Sequence, residues 1–184
     1  MRVLVTGAAG FLGYAVAALL VEHGHDVTGL TRSGASALPD GVSPLEGDLR
    51  TPESLPRALA EVDAVCHLAG LTKVRESRTG PLDYWRTNVG GTLTILDKLA
   101  RAGTGRLVLA STCTVYGEQA EQPISETATV APNSPYATSK LAADHAAADV
   151  AATGAIGAIS LRAFNVAGAL PGHPDRDTTR LIPQ

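Results

Sequence analysis

A doubly wound, parallel α/β sheet is the fold class this sequence predicts, and three observations predict it. Short β-branched runs alternate with helical stretches along the chain. The apolar content, 45% of 184 residues, is largely Ala, Val and Leu with 4% aromatics, which suits buried parallel strands under Ala-rich helices. A glycine-rich turn, Gly7 to Gly13, joins the first strand-like run to the first helical stretch.

Arg2 to Thr6 is a Val- and Leu-rich run of strand length, and Phe11 to Glu22 follows as a helix. Asp26 to Leu30 is a second strand, and Val42 to Glu46 a weaker third. Thr51-Pro52 sets a capping residue before a first-turn proline and opens a helix to about Ala60. Asp63 to Leu68 is a strand, Leu82 to Arg101 a long helix, and Arg106 to Ser111 the next strand. A loop with several Pro and Asn leads to a helix from Tyr136 to Ala152 and a strand from Ala158 to Ala163. Strands and helices in this alternation build βαβ units and a parallel sheet. Gly168 to Gln184 is rich in Pro, Gly and Asp, with helical character near Thr179.

A net charge of −3 gives no reason to expect nucleic acid or an anionic membrane as partner. No apolar stretch reaches the ~20 residues of a membrane span, and Met1 leads straight into a strand rather than a signal peptide. Cys66 and Cys113 lack metal-ligand spacing, and His23, His25, His145 and His173 are scattered, so no metal site is expected. A reduced, cytoplasmic protein is the natural expectation.

Two groups of residues carry chemistry. In Thr6-Gly7-Ala8-Ala9-Gly10-Phe11-Leu12-Gly13, Gly7 permits the tight turn, Gly10 lets backbone approach a pyrophosphate, and Gly13 lets helix and strand pack closely. The amides of Phe11 and Leu12 then face a phosphate from the positive end of the helix. The second strand ends Thr31-Arg32-Ser33, with no acid to hold the ribose hydroxyls of NAD. Arg32 and Ser33 offer instead a cation and a hydroxyl for a 2′-phosphate, so the expectation leans to NADP over NAD; the alternative is a solvated loop charge. Asp48-Leu49, after the third strand, is placed to contact the adenine, although Asp48 also suits a turn. The second group is Tyr136 and Lys140, which share one helix face a turn apart. An ammonium beside a phenol favours the phenolate and makes the Tyr a base for an alcohol.

With these pieces assembled, the chain resembles the extended short-chain dehydrogenase/reductase family. The resemblance rests on Gly7 to Gly13, Asp48-Leu49, His67-Leu68-Ala69-Gly70, Asn88 to Thr92, Ser111 to Gly117, the Tyr136/Lys140 pair and Arg162 to Asn165. Gly70-Leu71, Glu76-Ser77, Pro81 to Tyr84, Phe164 to Ala169 and Leu181 to Gln184 look like segments of its UDP-galactose 4-epimerase group. The resemblance implies a Rossmann-fold domain over 1–167, with 168–184 beginning a substrate lobe that is otherwise absent. It implies that Tyr136 takes a proton from a sugar hydroxyl, that Lys140 lowers its pKa and binds the nicotinamide ribose, and that Thr112, beside Ser111, relays the proton. Leu68, Ala69, Gly70 and Asn88 would line the cofactor, and Thr72 and Asn165 would meet a nucleotide-diphosphate sugar. It also implies a homodimer through the 82–101 and 136–152 helices.

Two comparisons refine that expectation. Nucleotide-sugar 4,6-dehydratases carry Asp-Glu after the catalytic Thr; here Cys113 and Thr114 stand there and supply neither acid nor base at neutral pH. Epimerisation is therefore expected ahead of dehydration, with a reductase or dehydrogenase, or a non-catalytic cofactor-binding module, as alternatives. Thr72 replaces the Lys that the epimerase group carries after Gly-Leu, with Lys73 one place later. His67 reads as a structural hydrogen-bonded group, Cys66 as a core residue, Tyr84 and Trp85 as packing, and Arg75, Glu76 and Arg78 as a solvated cluster.

Overall fold

The computed structural model describes residues 1–34, 37–55, 62–103, 105–170 and 172–173. Strands β1 (Arg2–Thr6), β2 (Asp26–Thr31), β3 (Val42–Glu46), β4 (Ala64–His67), β5 (Arg106–Ala110) and β6 (Gly157–Leu161) pair in the order β3-β2-β1-β4-β5-β6. Every pairing is parallel. The doubly wound sheet expected from the alternation is therefore present. Its order reverses at β1, so a crevice opens between the carboxyl ends of β1 and β4, where open α/β sheets bind ligands.

Alternating side chains send successive residues to opposite faces. Val3, Val5 and Val27 pack with Ala17 of α1 (Phe11–Glu22) on one face. Leu4, Val65, Leu107 and Leu109 pack on the other with residues of two helices, the later α4 (Gly91–Ala102) and α5 (Pro135–Ala152). Ile95, Leu96 and Leu99 give α4 an apolar stripe, and Ala143 and Ala147 let α5 lie close to the sheet. Each buried Leu, Ile or Val contributes about 1.5–3 kcal/mol, so this face anchors the two helices firmly.

The long helix expected from Leu82 to Arg101 is built in three parts. A short α3 (Pro81–Tyr84) runs into a π-helical stretch, Trp85–Gly90, and then into α4. The wider π turn lets Asn88 point inward, where it is 2% exposed. A further short helix, α2 (Val74–Ser77), was not expected. Thr51-Pro52 opens a 3-10 turn at Pro52–Ser54; the expected continuation toward Ala60 lies outside the described residues, as does the helix near Thr179. Helix α5 starts at Pro135 because Ser134 caps it, its hydroxyl accepting from the Ala137 amide at 3.2 Å. Beyond β6, the Cys113 amide still donates to Ala163, so the expected strand end survives as pairing without regular strand. Ile159, Leu161, Phe164 and Val166 are exposed there, an uncovered apolar surface at the sheet edge.

Candidate active site

The glycine-rich turn has the geometry its spacing predicts. Gly7 has φ +71°, a left-handed conformation that a side chain disfavours, and a Cβ there would lie 2.9 Å from the Ala69 amide nitrogen. A Cβ at Gly13 would overlap the Gly7 carbonyl, so only glycine lets α1 pass this close to the turn. Gly10 caps α1 without a side-chain bond, leaving the Phe11 and Leu12 end of the helix facing the crevice mouth. Across the crevice, Thr6 Oγ1 accepts from the amides of Leu68 and Ala69, at 3.1 Å each, which draws the β4 loop to the turn. Gly70 completes that loop, and a Cβ on it would press within 2.9 Å of Asn88 Oδ1.

The residues expected to meet an adenosine are arranged less tightly. Thr31 is buried and donates to the Ser33 carbonyl at 3.0 Å, shaping the turn after β2. Arg32 and Ser33 are exposed. Both carboxylate oxygens of Asp48 are taken by Arg50, the shorter bond being 2.6 Å. That pairing holds the Asp48 carboxyl down at about 2, with Arg32 adding a weaker pull in the same direction. Leu49 is a core residue whose carbonyl accepts from Thr94. Asp48 is thus a paired turn residue whose charge Arg32 partly offsets.

Tyr136, Lys140, Ser111 and Thr112 come together, each 6–8% exposed, where α5 crosses the carboxyl end of β5. The Tyr136 ring meets Tyr84 edge-on, with centroids 6.2 Å apart. Thr112 caps a 3-10 turn (Cys113–Tyr116), accepting from the Thr114 amide at 3.2 Å. One expectation needs correction. The Lys140 ammonium donates to the Ala110 carbonyl at 2.6 Å, and burial raises the Tyr136 phenol above its ordinary value, with Thr112 opposing. Burial also draws Lys140 down to about 8, with Asp144 opposing. Desolvation, which disfavours both charged forms, outweighs the lowering of Tyr136 that helical spacing alone suggests.

Sequence reasoning missed what stands behind Lys140. Asp144, one turn further on α5 and 5% exposed, accepts from Ser111 Oγ at 2.9 Å and from Arg162 Nε at 3.1 Å. Arg162 also donates to the Tyr116 hydroxyl at 2.9 Å and lies over its ring. The other Asp144 oxygen is buried with no hydrogen-bond partner among the described residues. The same i,i+4 spacing that marks Tyr136 and Lys140 also reaches Asp144, and that signal was available in the sequence. Thr72 and Asn165 are exposed. Asn165 lies two residues past Ala163, which pairs with Cys113, so it stands at the rim rather than within the buried group. Burial raises the Cys113 thiol, keeping it neutral beside Thr112.

Among the described residues there is no cluster of His, Cys, Asp and Glu that could hold a metal. No described helix is long and apolar enough to cross a membrane. The residues do fit a dinucleotide: a glycine turn without side chains, a helix start whose N-cap is a glycine, and a facing loop converge on the switch point.

Comparison with known proteins points the same way. Over 177 residues the chain is 41% identical to a UDP-glucose 4-epimerase of Streptomyces lividans, covering 93% of this chain and 54% of that protein. The chain thus spans about half the length of the curated relatives it matches. A UDP-glucose-4-epimerase structure from Stenotrophomonas maltophila, with bound NAD and formylated UDP-arabinopyranose, superposes with a TM-score of 0.83 at 33% identity, covering 92% of this chain and 54% of that one. MoeE5 in complex with UDP-glucuronic acid and NAD gives a TM-score of 0.81 at 38% identity, covering 94% and 58%. Both carry NAD, so the lean toward NADP drawn from Arg32 finds no support in them. The model of the NAD dependent epimerase/dehydratase family matches residues 3–184, and with the sheet order and the Tyr136–Lys140 helix already in place, the chain belongs to that family.

Proposed function

We propose that this chain carries the cofactor site and the acid–base group of a nucleotide-sugar 4-epimerase of the UDP-glucose/UDP-galactose kind, using NAD. The observation that carries the reading is the burial of Tyr136, Lys140 and Thr112 together at the carboxyl end of β5, with Lys140 against Gly70 of the loop that faces the glycine-rich turn. A nicotinamide cofactor held there supplies a reversible hydride acceptor. Gly7 to Gly13 seat its pyrophosphate, and Leu68, Ala69, Gly70 and Asn88 line its other side. Thr31, Arg32, Ser33, Asp48 and Leu49 surround the adenosine end.

Tyr136 takes the proton of the sugar 4-hydroxyl as base and returns it after the keto sugar has presented its other face. Lys140 supports this because a phenolate and an ammonium formed together as a buried pair are better compensated than either charge alone. Thr112 holds the sugar oxygen and passes the proton; Ser111 fixes Asp144 behind the lysine. Thr72 and Asn165, at the rim, face the diphosphate sugar.

The same reading assigns 1–167 to the cofactor domain and 168–184 to the start of a substrate lobe. A homodimer through the 82–101 and 136–152 helices is supported by exposed Leu82, Trp85 and Leu93 along the first of them. A cytoplasmic setting fits two free cysteines.

The test is to supply the chain with NAD and UDP-galactose and follow UDP-glucose. Interconversion without net NADH is expected, with NAD bound in preference to NADP. Tyr136→Phe should keep NAD affinity and lose at least ~100-fold in turnover. A fully active variant refutes the assignment of Tyr136. Net cofactor reduction would instead mark a dehydrogenase, and binding without turnover a cofactor-binding module.

A further inference from the structure

His67 lies fully buried at the end of β4, 1% exposed, and the proposed chemistry does not use it. Its hydrogen bonds have only one consistent direction. A hydroxyl has one donor and two acceptor positions. Thr6 Oγ1 already accepts from the amides of Leu68 and Ala69, so its own hydrogen must go to His67 Nδ1, 2.7 Å away. Nδ1 is therefore bare, and Nε2 carries the proton and donates to Thr92 Oγ1 at 3.2 Å. Thr92 donates onward to the Asn88 carbonyl at 2.6 Å. The Asn88 side chain donates to Ser139 Oγ at 3.1 Å, and Ser139 donates to the Tyr136 carbonyl at 2.7 Å. Every hydroxyl in the series spends its one hydrogen, and no step can be reversed alone.

We propose that His67 is a positioning residue, the neutral central link of a one-way hydrogen-bond chain that fixes the nucleotide-binding turn relative to the first turn of the catalytic helix. A protonated imidazole would place a second donor against the Thr6 hydroxyl, whose lone pairs are both filled, and would break the chain at its middle. Burial and the nearby Lys140 of α5 oppose that protonation, holding His67 down at about 3. The functional meaning of the coupling rests on the epimerase reading above; the coupling itself does not.

The chain labelled with 15N-histidine, followed by 1H–15N correlation spectra, tests the link. One of the five imidazoles should show a bare Nδ1 and a protonated Nε2, stay unchanged from about pH 8 to 5, and vanish in His67→Phe. A His67 signal that titrates near the ordinary value, or one with a protonated Nδ1, overturns the proposal. Thr92→Val removes the hydroxyl and keeps the shape. It should speed amide exchange about five- to tenfold both at Leu68 and Ala69 and in the first turn of α5, as expected for one lost buried bond of ~1 kcal/mol. Thr92→Ser should restore protection. Acceleration confined to one side of His67 overturns the coupling. NAD affinity, measured by titration, should fall in Thr92→Val and return in Thr92→Ser. A wild-type chain that binds no NAD refutes the cofactor reading, while the spectra and exchange rates still decide the coupling.

Discussion

Replacing Lys140 with Met isolates the cost of keeping a charge inside the fold. Lys140 is 6% exposed, bonded to the Ala110 carbonyl and accompanied by Asp144. Its ammonium is nevertheless held down at about 8 against an ordinary 10.5, because desolvation exceeds the opposing pull of Asp144. At ~1.4 kcal/mol for each pH unit, that gap amounts to about 3 kcal/mol. The sign follows from the folded value lying below the unfolded one. Below pH 8 the amine is charged in both states and the folded chain bears the whole cost. Between 8 and 10.5 the folded form releases its proton first, so wild-type stability rises with pH, and above 10.5 the cost is gone. Lys140→Met cannot show this rise. Urea unfolding of both proteins from about pH 7 to 11 measures the difference directly, since slopes of ~1–3 kcal/mol/M turn about 3 kcal/mol into a midpoint change of at least ~1 M. Wild-type and variant curves that stay parallel across the whole range would refute the buried, desolvated lysine.

Asp144→Ala leaves the Arg162 guanidinium and Lys140 without their shared counter-charge and should cost about 3–5 kcal/mol by denaturant unfolding; Asp144→Asn should cost less, since it can still accept from Ser111. A loss within ~0.5 kcal/mol for the Ala variant would show that the network is solvated. Gly13→Ala forces a methyl into the Gly7 carbonyl, so the turn must open; NAD titration should show lost affinity even where the sheet still unfolds cooperatively, and unchanged affinity would exclude the close approach.

Much of this site is legible in the sequence because local rules govern it. Gly7, Gly10 and Gly13 announce a turn whose backbone tolerates no side chain at two of the three positions, and the structure has that turn. The stretch from Tyr136 to Ala152 reads as a helix in the sequence, and the structure starts α5 one residue earlier, at Pro135 on the Ser134 cap, which sets Tyr136 and Lys140 in its first turns. Strand limits fell within one or two residues wherever a run of Val and Leu was bounded by Gly, Asp or Ser. The π-helical stretch at Trp85–Gly90 was not legible, because its sequence satisfies an ordinary helix and only the inward demand on Asn88 distinguishes it.

Sequence alone determined the alternation of elements, the glycine turn and the presence of a Tyr–Lys pair on one helix face. These depend on backbone freedom, side-chain period and spacing, all of which act over a few residues. Tertiary structure alone decided how those groups are charged. Tyr136 is raised and Lys140 lowered because α5 is pressed onto β5 and both side chains lose water. His67 is neutral with a bare Nδ1 because Thr6 and Thr92, 61 and 25 residues away in the chain, close on it from two sides. Desolvation and hydrogen-bond direction belong to the assembled surroundings of a group, and residues distant in sequence supply those surroundings.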